Sequence, residues 1–548
     1  MITRTIAATC CVLLAASPVP AQQTGTAITP ADLRTRLYAL AHDSMGGRAT
    51  GSIGNYKAAE WIAGEFTRLG LRPAGEGGSF FQTIPFLRFG PDPSATLSLD
   101  GSPLAMGREI LPLPWQGRSP SMDGARVVYG GMITDTAGRL APEAVRGKIV
   151  LLGTPDIPLR RIGALIGPLR RDPRYQEAAL VILPMLDAAG PEVVAAVLDG
   201  GVVTDTTRVA PPMPMALVTS AVAERLLGRP LAGTPSGTQG GTVRGQLRSG
   251  FTPLPYPARN VVAVLPGSDP ALRSTYVAIT AHNDHVGFDH MPVDHDSLRA
   301  FNEVVRPMGA DSPNREPTAE EWTRVRHILD SLRAVRPARP DSIRNGADDD
   351  GTGTVALLEI AEKFAAGPRP RRSILFVSHA AEEEGLLGSA WFTDHPTVPV
   401  DSIVAEMDMD MIGRGNRADL PAGGPGYLEV IGYGRLSREY GMILDTVNAR
   451  QPMPFTFDLT YNQPGHPLQY YCRADHYSYA RYGIPAIAVS RGEHLDYHQV
   501  TDEAQYIDYE ALQRVASMIG DLAREVANLD HRPKLDAPKG DPHARCVQ

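Results

Sequence analysis

The chain has 548 residues, 43% of them hydrophobic, enough to bury a large core in two or three domains or in one domain with large insertions. Its 53 basic and 61 acidic residues leave a formal charge of −8, with no long basic run. That balance excludes nucleic-acid and anionic-membrane partners and favours peptides or small solutes.

In chain order, residues 1–21 ("MITRTIAATCCVLLAASPVPA") carry one arginine, an apolar stretch through Leu14 and a "VPA" ending, the pattern of a cleavable signal peptide. The expected mature chain is secreted or periplasmic, carries −9 once Arg4 is gone, and keeps Cys472 and Cys546, which an oxidising compartment would allow to pair. No later apolar run is long enough to span a bilayer. "ITPADLRTRLYALAHD" predicts a helix with Thr29 as N-cap, Pro30 at its first position and Asp32 as the reciprocal capping partner. "NYKAAEWIAGEFTRLGLRP" predicts a second, closed at Gly70. Over about 101–250, short β-like runs such as "ARVVYGG", "GKIVLLG" and "AALVILP" stand among many Gly and Pro, the character of an inserted module.

From Asn260 onward short apolar runs ("NVVAVLPG", "TYVAITA", "SILFVSHA", "SIVAEMDM", "AIAVS") suit strands covered on both faces. The helical stretch "TGTVALLEIAEKFAA" between two of them argues for βαβ crossovers. The main domain is thus 28–100 plus 255–530, an α/β sandwich around a mixed, mainly parallel sheet. It is interrupted at about 289–340 by a Pro-rich excursion with one clear helix, whose Thr318 and Glu321 form a capping box and whose apolar face is Trp322, Val325, Leu329 and Leu332. This excursion is expected to run over the surface as a lid, and 531–548 to form a polar, disordered tail. No fixed-period repeat is present, which sets aside solenoids and propellers.

Ligand crevices of open parallel sheets lie at the carboxyl ends of the strands. His282 and Asp284 directly follow "TYVAITA", Glu382 and Glu383 follow "SILFVSHA", Asp408 and Asp410 close "SIVAEMDMD", and His498 lies in the loop after "AIAVS". Asp348, Asp349 and Asp350 open the helix at "GADDDGTG". Each cluster alone reads as an N-cap or a solvated face. Together they would concentrate repelling carboxylates in a partly dry crevice unless cations sit among them. Five or more mixed His and carboxylate ligands exceed what one tetrahedral zinc takes, so two divalent metals sharing a carboxylate are expected. An EF-hand calcium loop is rejected because Leu357 stands where its closing glutamate belongs.

The ordered set "AHNDHVG", "NGADDDGTGTVALLE", "AEEEGLLGSAWF", "MDMDMIGR" and "SRGEHLDYHQVTDE" resembles metallopeptidase family 28, the dizinc aminopeptidases that also include glutamate carboxypeptidases. The segment around "VRGKIVLLG" resembles a protease-associated (PA) domain. The resemblance implies two Zn²⁺ per chain: His282 and Asp410 on one, Glu383 and His498 on the other, and Asp349 bridging. It further implies Asp284 as the carboxylate orienting His282, Glu382 as general base and Tyr497 as an aid to the oxyanion. Glu384 is then a spare acid, and Asp408 stands where the family often has asparagine. Asp349 lies 67 positions beyond His282, far more than the family pattern, which places an insertion between the first two ligands. The expected activity is an aminopeptidase acting on peptides. A glutamate-type carboxypeptidase or dipeptidase is the first alternative, needing a basic cluster to which Arg299, Arg306 or Arg315 could contribute. A one-zinc glutaminyl cyclase and a non-catalytic binding protein are more distant.

Overall fold

A computed structural model describes residues 24–116, 122–135, 138–155, 162–204, 213–313, 315–536 and 538–548. The expected signal peptide at 1–21 lies outside the described residues.

The strand Arg259–Leu265 shows how the main layer is built. Successive side chains of a strand point to opposite faces, so Val261, Ala263 and Leu265 enter one core while Val262 and Val264 enter the other. Tyr276–His282 and Ser373–His379 divide their side chains the same way. Fully apolar runs therefore need cover on both sides. One face packs against the helices Pro30–Leu40, Ile53–Arg68, Gly353–Ala366, Arg438–Ala449 and Tyr509–Ala527. The other packs against Leu387–Asp394 and His476–Ala480 through Phe392, Tyr479 and Ala480. This is a three-layer α/β sandwich.

Its nine-stranded sheet runs, edge to edge, Arg72–Pro73, Arg259–Leu265, Ser373–His379, Tyr276–His282, Ile403–Met409, Ala486–Ser490, Tyr427–Ile431, Thr456–Asp458, with Phe81–Thr83 paired beside Arg259–Leu265. The four central strands, from Ser373–His379 to Ala486–Ser490, are parallel, and Arg259–Leu265 and Tyr427–Ile431 flank them antiparallel. The carboxyl ends of the central four consequently meet at one edge.

Between Thr96 and Gln246 a separate eight-stranded sheet has its own cores on both faces. The strands that lead into and out of this unit, Leu87–Pro91 and Ser249–Pro253, pair antiparallel, and Gly201–Val203 adds to them. Of the local expectations, Thr29 accepts the Asp32 N–H as an N-cap should, but the Asp32 carboxylate accepts from Gly25 rather than completing a box. Gly70 takes φ +69° after the second helix, and the capping box of Thr318 and Glu321 is complete.

One expectation is corrected and another gains detail. The excursion at 289–340 holds more than its one expected helix. Its hairpin strands Phe288–Asp294 and Pro340–Ile343 pair, and its helices His295–Val305 and Ala319–Arg333 bury Ala300, Val305 and Val325 between them, leaving Trp322 exposed. Buried Asp296 gathers Arg333, Arg336 and Arg339 at 3.0, 2.6 and 2.8 Å. The tail is docked: Cys546 is disulfide-bonded to Cys472, with Cα atoms 5.9 Å apart, and the Gln548 amide donates to the Tyr461 and Gln463 carbonyls while accepting from Tyr471 N. A polar tail stays put because its hydrogen bonds are internal.

Candidate metal centre

All the expected site residues come to the carboxyl edge of the central strands. His282 ends its strand; Glu382 and Glu383 follow Ser373–His379; Asp410 follows Ile403–Met409; His498 stands in the loop after Ala486–Ser490. Asp349 sits in the turn Ala347–Thr352 that leads into the helix Gly353–Ala366. Ala381, Met411 and His498 all hold positive φ, conformations that persist only where surrounding contacts impose them.

The three aspartates divide their work by hydrogen bonding. Asp348 Oδ1 accepts from Gly413 N at 2.7 Å, and Asp350 accepts from His282 N at 3.1 Å and Gly353 N at 2.9 Å. Asp502 receives the N–H groups of Asp348 and Asp349, which fixes the turn from below. Asp349 alone is left to face the crevice. Its Oδ1 lies 3.1 Å from His282 Nε2, and its Oδ2 lies 2.9 Å from His498 Nε2.

Two ligand groups meet at this carboxylate. In the first, His282, Asp349 and Asp410 offer one atom each, all within 4.8 Å of one another. In the second, His285, Asp349, Glu383 and His498 do the same. His498 Nε2 is 3.0 Å from Glu383 Oε2, and His285 Nδ1 is 2.8 Å from Glu383 Oε1. His282 Nε2, His285 Nδ1, Glu383 Oε1, Asp410 Oδ1 and His498 Nε2 are buried yet make no hydrogen bond. Buried polar atoms are seldom left so. A convergent set of imidazole and carboxylate donors without partners fits paired divalent cations such as zinc.

His285 is the residue the sequence reading missed. Its signal was present in "AHNDHVG", directly after an expected orienting aspartate. The position of Asp284 also differs from expectation. His282 Nδ1 is nearest the Asp284 carbonyl, at 3.2 Å, with the carboxylate 3.6 Å away. The carboxylate instead accepts from Glu382 N at 3.1 Å, Glu383 N at 3.4 Å and Thr50 Oγ1 at 3.1 Å. It positions the glutamate loop as much as the imidazole.

Burial pushes the Glu382 carboxyl well above its ordinary range, with Asp410, Glu383 and Asp475 adding to the effect against His282. Asp349 goes the other way: burial opposes, but His285, His282 and His498 hold it well below. Asp408 does not reach the metal groups; it accepts from Thr280 Oγ1 at 3.0 Å and His476 N at 3.2 Å, and burial beside Asp410 pushes it up to about 7. Tyr497 lines the same cleft as Glu382, its ring centroid 4.0 Å from that of His498.

Remote segments hold these loops. Arg48, fully buried, donates to the carbonyls of Asn283 at 3.1 Å, Asn345 at 2.5 Å and Gly346 at 2.9 Å, joining the His282 and Asp349 loops. From the excursion, Asn302 donates to Leu495 O at 2.9 Å, Ala310 N to Tyr497 O at 3.1 Å, and Arg299 pairs with Asp496. Arg306 reaches its own Ala310 carbonyl and Arg315 pairs with Glu321, so none of these three arginines lines the cleft.

The family model of Peptidase family M28 matches residues 260–523. The leucine aminopeptidase 1 of Paracoccidioides brasiliensis (strain Pb18) is 32% identical over 192 residues, 33% of this chain and 46% of the relative. That of Ajellomyces dermatitidis (strain ER-3) is 33% identical over 199 residues, 34% and 48%. The chain thus spans about half the length of the curated relatives it matches. Among solved structures, a zinc aminopeptidase from Bacillus subtilis superposes with a TM-score of 0.51 at 16% identity, covering 94% of this chain and 98% of that one, which establishes a shared fold.

Proposed function

Since residues 260–523 belong to peptidase family M28, we propose that the protein is a dizinc aminopeptidase that removes N-terminal residues from peptides. The observation that carries the reading is Asp349, whose two oxygens belong one to each ligand group. His282 and Asp410 would hold one zinc, Glu383 and His498 the other, with His285 beside the second pair. Such ions supply Lewis acidity at the scissile carbonyl and a nucleophile from water near neutral pH.

Glu382 is the general base. It stands beside a ligand without belonging to either group, its Oε2 3.9 Å from His282 Nε2, where it can take a proton from the attacking water and deliver it to the leaving amine. Tyr497, which lines the cleft beside His498, would donate to the developing oxyanion. A free C-terminal carboxylate finds poor reception here: among the described residues Arg473 is the one cationic side chain on the cleft wall besides His498, and it is paired with Asp311 at 2.7 Å. That favours the aminopeptidase over the carboxypeptidase. The Cys472–Cys546 bond suits the oxidising compartment that a cleaved leader at 1–21 would lead to; recovery of the uncleaved chain in the cytoplasm, with both cysteines free, would contradict that assignment.

The test pairs metal analysis with activity. Two zinc ions per chain and chelator-sensitive cleavage of N-unblocked, but not N-blocked, reporter peptides are expected. One zinc per chain, or preference for blocked peptides with a free C-terminus, would overturn the reading.

A further inference from the structure

Two carboxylates that the reaction does not use are buried in the wall of the same cleft. Glu429 is 2% exposed and Glu493 is 7% exposed. Glu429 Oε1 accepts from Tyr427 Oη at 2.6 Å, the same hydroxyl lying 3.0 Å from Asp458 Oδ2, while its Oε2 has no hydrogen-bond partner. Glu493 Oε1 accepts from Tyr470 Oη, its Oε2 has no hydrogen-bond donor, and the Asp311 carboxylate lies against it, which together with burial pushes Glu493 up to about 8. The nearest cation is the Arg473 guanidinium, 3.9 Å from Glu493 and already committed to Asp311. Among the described residues Glu429 has no ion pair.

Sheet topology places these groups relative to the reacting ones. Ile403–Met409, which delivers Asp410, is followed in the sheet by Ala486–Ser490 and then by Tyr427–Ile431, in which Glu429 sits opposite Ser490. Glu429 is therefore two strand spacings from the Asp410 strand, about 10 Å along the sheet edge. The wall between is mostly apolar: Met411, Ile431, Ala488 and Val489. The cleft holds about 580 Å³ of empty space, its open mouth included. A carbonyl at the metal groups would thus send its side chain over a hydrocarbon lining towards two carboxylate oxygens that lack donors. Buried acceptors without donors are costly unless a ligand completes them.

We propose that this cleft selects substrates whose N-terminal residue is lysine or arginine, with Glu429 and Glu493 receiving the cationic head and the apolar wall its methylene stem. The inference rests on the aminopeptidase reading and adds its substrate class. A long stem ending in a strongly hydrogen-bonding cation matches both parts of the site. Burial, with Asp458 adding to it, pushes the Glu429 carboxyl up to about 7 against the Tyr427 hydrogen bond, as befits a carboxylate that lacks a counter-charge.

The experiment measures kcat/KM of the zinc-loaded protein on lysyl, arginyl, norleucyl and leucyl reporter amides, norleucine being the uncharged counterpart of lysine. Wild type is expected to favour lysyl over norleucyl by about tenfold or more, since a buried acceptor rejects the analogue that lacks the donor. Glu429→Gln and Glu493→Gln should each lower that ratio by about tenfold. The ratio within one protein is insensitive to the active fraction, and two variants guard against misfolding of either. A wild-type ratio of one or less, or ratios unmoved by both substitutions, overturns the proposal. Chelator-sensitive cleavage of leucyl but not lysyl amides overturns it alone and leaves the aminopeptidase reading standing. Silence towards all four amides overturns both.

Discussion

Gly309→Ala should damage the metal centre from outside it. Gly309 has φ +52°, and a Cβ built there would lie 2.5 Å from Tyr497 O, 2.8 Å from Tyr497 N and 2.9 Å from His494 O. All three are backbone atoms of the loop that ends at His498, so no flexible side chain can swing away. Ordinary contact begins near 3.4 Å, so either this loop or the excursion must retreat by on the order of 1 Å, a displacement that can cost about 100-fold in turnover when it reaches a catalytic group. The left-handed φ adds about 1 kcal/mol of local strain for alanine. The excursion is stiffened by the Asp296 cluster and by its paired hairpin strands, so the loop is expected to yield. The assay is zinc titration together with kcat at saturating zinc. One zinc should bind normally and the other at least about tenfold more weakly, with kcat down by about 10- to 100-fold. Both zinc affinities and kcat within twofold of wild type would refute the claim that the excursion braces the His498 loop.

Glu382→Gln removes the base and keeps the shape; both zincs should remain by metal analysis while kcat falls by about 100- to 10,000-fold, and full turnover would disprove its role. Acid stability should carry a signature of Glu362. Burial works against ionisation there, but Arg68, Thr24 and Arg36 hold its carboxyl down to about 2 from 4.5. Because the folded value is depressed, its contribution is present above pH 4.5 and lost as pH falls towards 2. Glu362→Gln should therefore narrow the stability difference between pH 5 and pH 2.5 in urea titrations, and an unchanged difference would show that the ion pairs around Arg36 are not what Glu362 contributes.

The sheet was legible because its central strands are buried on both faces, and such strands must be apolar throughout; "YVAITAH" and "SILFVSH" announce themselves. The ligands were legible for a related reason. His282, Glu383 and Asp410 each stand at the place where an apolar run stops, so strand ends and polar clusters mark the same edge. His285 escaped because it lies three residues past His282, in a loop whose return path no periodicity describes. Arg48 escaped more completely: in "GGRATG" it looks like a surface arginine, and only the folded chain brings the carbonyls of Asn283, Asn345 and Gly346 around it.

Glu429 marks the limit of reading acids by position. In "YLEVI" it occupies the middle of a strand, where alternation alone would assign it to the solvent side of a half-buried sheet. The strand is instead buried along its whole length, and only its place beside Ala486–Ser490, an antiparallel neighbour distant in sequence, turns that side chain towards the cleft. The acids that hold metal are found at strand ends because loops there are free to converge. An acid that selects a side chain must lie farther along the sheet edge, at a distance set by substrate length. Its position is therefore set by strand order, the property of an α/β fold that local sequence encodes least.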